Sequence, residues 1–242
     1  MEILANNSYI AIAVAIAIAF VIRIGYVTLF KGVFHLTFEH APGRALAYFL
    51  GWSLFISWLY WSYVEVLFSG VTILGWLTLF FLFFVLFPWI FRYLRGKNGK
   101  PDWLFELFPT QTMLTLEERY IVAKVGDVFS QQLIAGILVL LFAQTGASYQ
   151  LTVVIFVALF ALSHLYLFFT SGFMWGLHYT TISLAGGFAI PFLILFVSGG
   201  IVYALIFHML FYVFSAAFFA SLPKPSKLVC QDVLQTDTVP GM

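Results

Sequence analysis

Seven apolar segments, each about as long as a bilayer is thick, constrain this chain more than any other feature. A helix rises about 1.5 Å per residue, so about 20 apolar residues cross the roughly 30 Å hydrocarbon core. Of the 242 residues, 63% are hydrophobic and 9% are charged, whereas soluble domains are about a quarter charged. We therefore predict an all-α, polytopic membrane protein with about seven transmembrane helices. The predicted spans are residues 8–30, 45–67, 71–91, 116–143, 149–169, 176–198 and 200–221.

The loops divide the chain into four parts. We expect three N-terminal transmembrane helices in residues 1–91 and a basic, aromatic cytoplasmic loop in 92–114. A helical membrane core follows in 115–221, and a cytoplasmic polar tail occupies 222–242. Membrane lipids are therefore the first predicted partner. The sequence has no phosphate-binding glycine loop, and orientation and anionic lipid explain the basic loop, so we expect no nucleic-acid partner.

Lysine and arginine are distributed unevenly between the predicted loops. The loop after the first span, the 92–114 loop and the tail carry them, whereas the loops near residues 69, 145 and 199 carry none. Basic loops tend to stay in the cytoplasm, which predicts an outside N-terminus, a cytoplasmic C-terminus and an odd number of spans. We expect a multi-pass protein of the plasma (inner) membrane. The single cysteine, Cys230, lies in the tail, so no internal disulfide is expected.

One acid and two histidines fall well inside the predicted core helices: Asp127, His164 and His208. Placing such a group in hydrocarbon costs a few kcal/mol or more, so each one marks a candidate site. From the helical rise, Asp127 lies roughly 13 Å and His164 roughly 9 Å from the cytoplasmic ends of their spans, and His208 lies near mid-membrane. These depths predict one shared pocket that opens to the cytoplasm.

One face of the fourth predicted helix is polar. Residues at spacings of four, three and four share this face: Tyr120, Lys124, Asp127 and Gln131. Such a stripe avoids lipid, so we expect it to face the bundle interior or a water-filled cavity. The structural alternative is that Lys124 simply neutralises Asp127, while each histidine hydrogen-bonds a neighbouring helix.

The order and spacing of these groups suggest a family. Residues 126–136 read Gly-Asp-Val-Phe-Ser-Gln-Gln-Leu-Ile-Ala-Gly, residues 160–164 read Phe-Ala-Leu-Ser-His, and Tyr212 follows four residues after His208. In this order they resemble Glu-Glu-x-x-x-Arg, Phe-x-x-x-His and His-x-x-x-Asn or Asp. These are the motifs of the intramembrane proteases of the CAAX-protease and bacteriocin-processing group, also called abortive-infection proteins. The resemblance covers about residues 115–220 and leaves the first three spans unexplained.

The resemblance implies a CAAX-protease-like helical core that hydrolyses a peptide bond in a membrane-adjacent peptide or protein. It implies that Asp127 activates the attacking water. It further implies that His164 and His208 position this water or hold a metal ion such as zinc.

The resemblance also implies three supporting residues: Gln131, Tyr212 and Phe160. Here the sequence departs from the family, since Gly126 and Asp127 replace the glutamate pair. Gln131 replaces arginine, and Tyr212 replaces asparagine. Catalytic geometry tolerates little misplacement, so a rearranged or inactive site is a direct alternative to an active one.

An alternative register makes Glu117 and Glu118 the acidic pair. However, the fourth residue after Glu118 is Val122 and not arginine. Thr115 and Glu118 also have the Thr-x-x-Glu spacing of a capping box, which predicts a helix start at this point. For that reason we favour Asp127 as the acid.

Two weaker candidates remain. His178 lies near the cytoplasmic start of the sixth span and could join the pocket, although an interfacial histidine is usually solvated. His35, Glu39 and His40 have helical spacing for a small metal site, but they lie in a short loop interrupted by a Pro-Gly pair.

A second function class uses the same cavity without catalysis, as a membrane scaffold or as a binding subunit of a larger membrane complex. Convergence of Asp127 and both histidine rings on a wet cavity favours the enzyme. Separation of these groups by lipid or packed aromatic rings favours the binding protein. A transporter ranks third, because we detect no internal repeat.

Overall fold

The computed structural model describes residues 7–34, 41–98, 116–170 and 173–222. Within these ranges the protein is all-helical and has no strand. The helices, in chain order, are α1 (Ser8–Gly25), α2 (Pro42–Leu59), α3 (Trp61–Phe68), α4 (Ile73–Phe81), α5 (Phe87–Asn98), α6 (Glu118–Gln144), α7 (Tyr149–Thr170), α8 (Phe173–Phe196) and α9 (Gly200–Ser221). Two π-helical stretches extend this series: Tyr26–Val33 continues α1, and Leu82–Leu86 joins α4 to α5.

Six helical segments of the described chain are long and apolar enough to cross a membrane. They are Ser8–Leu29, Ile73–Lys97, Glu118–Gln144, Tyr149–Phe169, Trp175–Phe196 and Gly200–Ser221. The predicted class, an all-α multi-pass membrane protein in contact with lipid, is confirmed at this level. The described residues contain six such segments and not seven, because the predicted second span is divided.

The predicted second span, residues 45–67, consists of two helices that meet at Tyr60. The backbone of Tyr60 (φ −117°, ψ 36°) leaves the helical region and separates α2 from α3. Its hydroxyl donates a hydrogen bond of 2.7 Å to the carbonyl of Ala11 in α1. Nearer the start of α2, the Tyr48 hydroxyl donates a bond of 3.0 Å to the carbonyl of Ile22. The order of these two contacts shows that α2 runs antiparallel to α1.

Helix α6 is the centre of the bundle. It packs against α1, α2, α3, α5, α7, α8 and α9, and 78% of its membrane-crossing stretch is buried, against 22% for α1 and 18% for α7. Two glycines permit this close packing. A Cβ at Gly126 would lie 2.8 Å from Leu46, and one at Gly136 would lie 2.8 Å from Leu67. Four polar side chains of α6, Lys124, Asp127, Ser130 and Gln132, are therefore buried against protein, whereas Gln131 is exposed.

Helices α7 and α8 form a tightly packed hairpin. A Cβ at Gly187 would lie only 2.7 Å from the Cα of Val157, so α8 approaches the backbone of α7 at this point. Pro191 lies inside α8 without ending it. The chain then turns at Gly199, whose φ of 65° suits a residue without a Cβ, and α9 begins at Gly200.

The predicted capping box at the start of α6 is wrong. The N-cap residue is Glu117, which makes no side-chain cap bond, and Thr115 lies outside the described residues. Leu116 has a φ of 53°, so the chain enters α6 from a left-handed residue and the helix begins at Glu118. Both glutamates instead bind Arg95 of α5, at 2.8 Å and 2.9 Å.

Candidate functional site

The acid of the polar stripe is fully engaged on its own helix. Asp127 is 2% exposed and Lys124 is 7% exposed. The Lys124 ammonium binds Oδ2 of Asp127, and Nε2 of Gln131 donates a hydrogen bond of 2.6 Å to Oδ1. The spacings of three and four residues place all three side chains on one helix face. Both carboxylate oxygens of Asp127 therefore have partners.

A small cavity opens between α6, α7, α8 and α9. Its volume is about 40 Å³, enough for a few water molecules, since one water needs roughly 10–15 Å³ of such space. The lining combines polar and aromatic side chains with small ones: Gln131, Phe160, His164, Tyr179, Ile182, Ser183, Gly186, Ile190, Phe207, His208, Phe211 and Tyr212. Five of the six predicted site residues thus line one cavity. The sixth, Asp127, reaches it through Gln131.

His164 is held by its own helix. Its Nδ1 lies 2.8 Å from the carbonyl oxygen of Phe160 and 3.0 Å from Oγ of Ser163. A carbonyl oxygen only accepts hydrogen bonds, so Nδ1 carries the proton and donates. The Nε2 atom, on the side of the ring away from this carbonyl, is then a hydrogen-bond acceptor. The ring also stacks on Tyr179, with centroids 6.4 Å apart.

His208 is held by a different helix. Its Nδ1 lies 2.7 Å from Nε2 of Gln132 in α6, and its ring stacks on Tyr212 at 5.6 Å. Asp127, Lys124 and His164 all lie within electrostatic range of His208. The two histidines therefore form one electrostatic unit beside the Lys124–Asp127 ion pair.

Tyr212 connects this unit to the ion pair. The Lys124 ammonium lies over the Tyr212 ring, 4.7 Å from its centroid. This distance suits a cation–π contact, which gains strength where water is excluded. The same lysine thus touches the acid on α6 and the aromatic ring on α9.

Sequence reasoning missed three residues of the site: Arg23, Gln132 and Tyr179. Arg23 in α1 acts electrostatically on Asp127, and also on His164, Tyr179 and Tyr212. A signal for it existed, because Arg23 is the single charged residue between positions 8 and 30. Gln132 and Tyr179 gave no comparable signal, since their roles depend on contacts with other helices.

The donor set does not fit a zinc ion. In the part of the chain that the structure describes, no three His, Cys, Asp or Glu side chains lie close enough together to hold a metal. A catalytic zinc takes three protein ligands, whereas His164 and His208 supply two. Asp127 cannot be the third in this arrangement, because Lys124 and Gln131 occupy its oxygens.

The weaker candidates that the structure describes do not line this cavity. His178 does not line the cavity; its Nε2 lies 3.1 Å from Oγ of Ser215, and its ring packs against Trp175 and Phe219. The predicted set of residues 35, 39 and 40 falls outside the described residues. Glu117 and Glu118 of the alternative register bind Arg95 at the start of α6 and do not line the cavity.

Comparison with known proteins identifies no relative of this chain. No protein-family model, curated protein or solved structure matches the chain.

Proposed function

We propose that this protein is a divergent intramembrane protease of the CAAX-protease-like kind, which hydrolyses a membrane-adjacent peptide with an activated water. One observation carries the proposal. Three helices bring His164, His208 and Gln131 to a single cavity that has room for water, and Gln131 is bonded to Asp127. The order of these residues along the chain also resembles the motifs of that family.

The chemistry follows from the hydrogen bonds of the two histidines. Nε2 of His164 accepts a proton from the water, and the hydroxide forms a C–O bond with the peptide carbonyl. Negative charge then develops on the carbonyl oxygen, where the Tyr212 hydroxyl can donate a hydrogen bond, as can Nε2 of His208 when it carries the ring proton. When the C–N bond breaks, protonated His164 returns the proton to the leaving amine. In this proposal His164 is the base. Asp127 could take that role only if its ion pair with Lys124 broke.

A non-catalytic membrane scaffold or binding subunit is the second candidate. The engagement of both Asp127 oxygens favours it, because a carboxylate held by Lys124 and Gln131 has the partners of a structural ion pair. The cavity of about 40 Å³ also has room for water but not for a peptide, so a substrate must part the helices to reach it.

Cleavage by the purified protein tests the proposal. Membrane-anchored reporter peptides are incubated with the wild type in vesicles, and products are identified by mass spectrometry in heavy-oxygen water. Hydrolysis places a heavy oxygen in the new carboxyl group. His164→Ala and His208→Ala are each expected to lower the cleavage rate at least about 100-fold, since such residues act as a unit. His178→Ala is the matched control.

The Asp127→Glu variant separates the two candidates. It restores the longer carboxylate of the family, so it is expected to raise cleavage if the site is a weakened protease. The variant is expected to leave the cleavage rate unchanged if Asp127 only pairs with Lys124. A wild type that cleaves nothing, and histidine variants that lose a co-purifying membrane partner, would favour the scaffold.

We also infer that α2 and α3 cross the membrane together, which gives seven spans. The chain reaches the far end of α1 through Tyr60, and Gly70 lies against the turn that precedes α9, where its Cβ would be 2.6 Å from the Gly199 nitrogen. The basic end of α5 meets the start of α6 at the opposite face through Arg95 and Glu117. With the basic loops inside, the N-terminus is outside and the C-terminus is cytoplasmic, in the plasma (inner) membrane.

A further inference from the structure

We propose that Gln132 positions His208 by holding the ring with its proton on Nε2, the tautomer opposite to that of His164. The tautomer is a property of the folded protein. Its use in catalysis rests on the proposed function.

The contact is short and partly buried, with the glutamine as its buried side. Gln132 is 1% exposed, and its Nε2 lies 2.7 Å from Nδ1 of His208, across the α6–α9 interface. Gln131 and Gln132 are neighbours, but consecutive residues point about 100° apart around a helix. Gln131 therefore binds Asp127 while Gln132 binds His208.

The amide decides which ring nitrogen is protonated. The NH₂ group of glutamine only donates hydrogen bonds, so Nδ1 of His208 must accept. A neutral imidazole carries one proton, which then resides on Nε2. His164 shows the reverse arrangement, because the Phe160 carbonyl requires a proton on its Nδ1.

Opposite tautomers give the cavity one acceptor and one donor. Hydrolysis needs both, because the water must lose a proton while the new oxyanion gains a hydrogen bond. If both rings were protonated on Nε2, neither ring could accept the proton of the water; if both were protonated on Nδ1, only the Tyr212 hydroxyl would remain of the two proposed oxyanion donors. Gln132 is thus a positioning residue that acts through His208.

Packing alone does not require a glutamine at position 132. Within the described residues, Oε1 of Gln132 is buried without a hydrogen-bond partner. A buried polar atom without a hydrogen-bond partner destabilises the folded protein. Met or Leu would fill the space without that penalty, so the amide contributes through its N–H group.

Nitrogen NMR of histidine-labelled protein in lipid nanodiscs tests the tautomers directly. Single His→Asn variants assign the ring signals. We expect the wild type to show His208 protonated on Nε2 and His164 protonated on Nδ1. An ionised glutamate in Gln132→Glu presents only acceptors, so at a pH where this carboxylate is ionised Nδ1 of His208 should carry a proton. Gln150→Glu, at an exposed position on α7, is the matched control and should change neither ring.

Kinetics then test the role in catalysis. Gln132→Glu should lower kcat by about 100-fold with little change in KM, the effect of losing one oxyanion donor. Gln132→Met is a second test variant in case Gln132→Glu does not fold. Methionine has a similar volume and no amide, so this variant should also lower kcat.

The outcomes separate the two proposals. A wild-type His208 protonated on Nδ1, or one unchanged in Gln132→Glu, would overturn the positioning role whatever the activity. The expected tautomers in a protein that cleaves nothing would support the positioning of His208 and overturn the protease.

Discussion

Lys124 and Asp127, three residues apart on α6, form an ion pair that is almost entirely buried inside the bundle. Lipid cannot solvate either charge, so each group depends on the other. Gln131 occupies the second carboxylate oxygen, and the Tyr212 ring covers the ammonium. The pair therefore links the stability of the helix core to the chemistry of the adjacent cavity.

Replacing one member of this ion pair should destabilise the protein more than replacing both members. Lys124→Met leaves the Asp127 carboxylate without its adjacent cation, and the expected loss is about 3–5 kcal/mol. The double variant Lys124→Met/Asp127→Leu should recover most of that loss, since no buried charge of the pair remains. Unfolding in detergent, monitored by circular dichroism, measures both. A double variant as unstable as Lys124→Met would contradict the expectation.

Gly187→Ala should separate α7 from α8. The new Cβ would meet the Cα of Val157 at 2.7 Å, and a backbone atom cannot move aside cheaply. Overpacking of this kind costs about 1–3 kcal/mol. Gly51→Ala is the matched control, because its Cβ meets nothing within 4 Å and alanine favours a helix by about 0.5–1 kcal/mol. Equal melting temperatures for the two variants would argue against the close approach.

Tyr60→Phe should loosen the docking of α1. The variant keeps the ring but loses the bond to the Ala11 carbonyl, at an expected cost of about 0.5–1.5 kcal/mol. Tyr203→Phe, on the exposed face of α9, should change stability by far less. Thermal unfolding in the same detergent compares the two, and a similar effect of both would leave Tyr60 without a special role.

The C-terminal tail should be cytoplasmic. Cys230 is the single cysteine and lies beyond the last described helix, so a thiol reagent reports on this tail alone. A membrane-impermeant maleimide should fail to label intact cells and should label them after permeabilisation. Efficient labelling of intact cells would reverse the proposed orientation.

Local features of the sequence determined much of the fold. Apolar length predicted three of the core helices closely, with residues 116–143, 149–169 and 200–221 expected against Glu118–Gln144, Tyr149–Thr170 and Gly200–Ser221 observed. Hydropathy and helical rise are local, so they can be read from neighbours in the chain. The contacts of Asp127 with Lys124 and Gln131 were equally accessible, because residues three and four apart share a helix face.

The tertiary structure decided what local patterns could not. Gln132 and His208 are 76 residues apart, and their contact depends on which faces of α6 and α9 meet. The same holds for the charge of Arg23 near Asp127 and for the break at Tyr60, where a hydroxyl binds a different helix. Lipid does not drive helices together by the hydrophobic effect, so close packing at small residues and interhelical hydrogen bonds select the pairs. Such selection depends on the three-dimensional fit of distant segments, which periodicity within one helix does not encode.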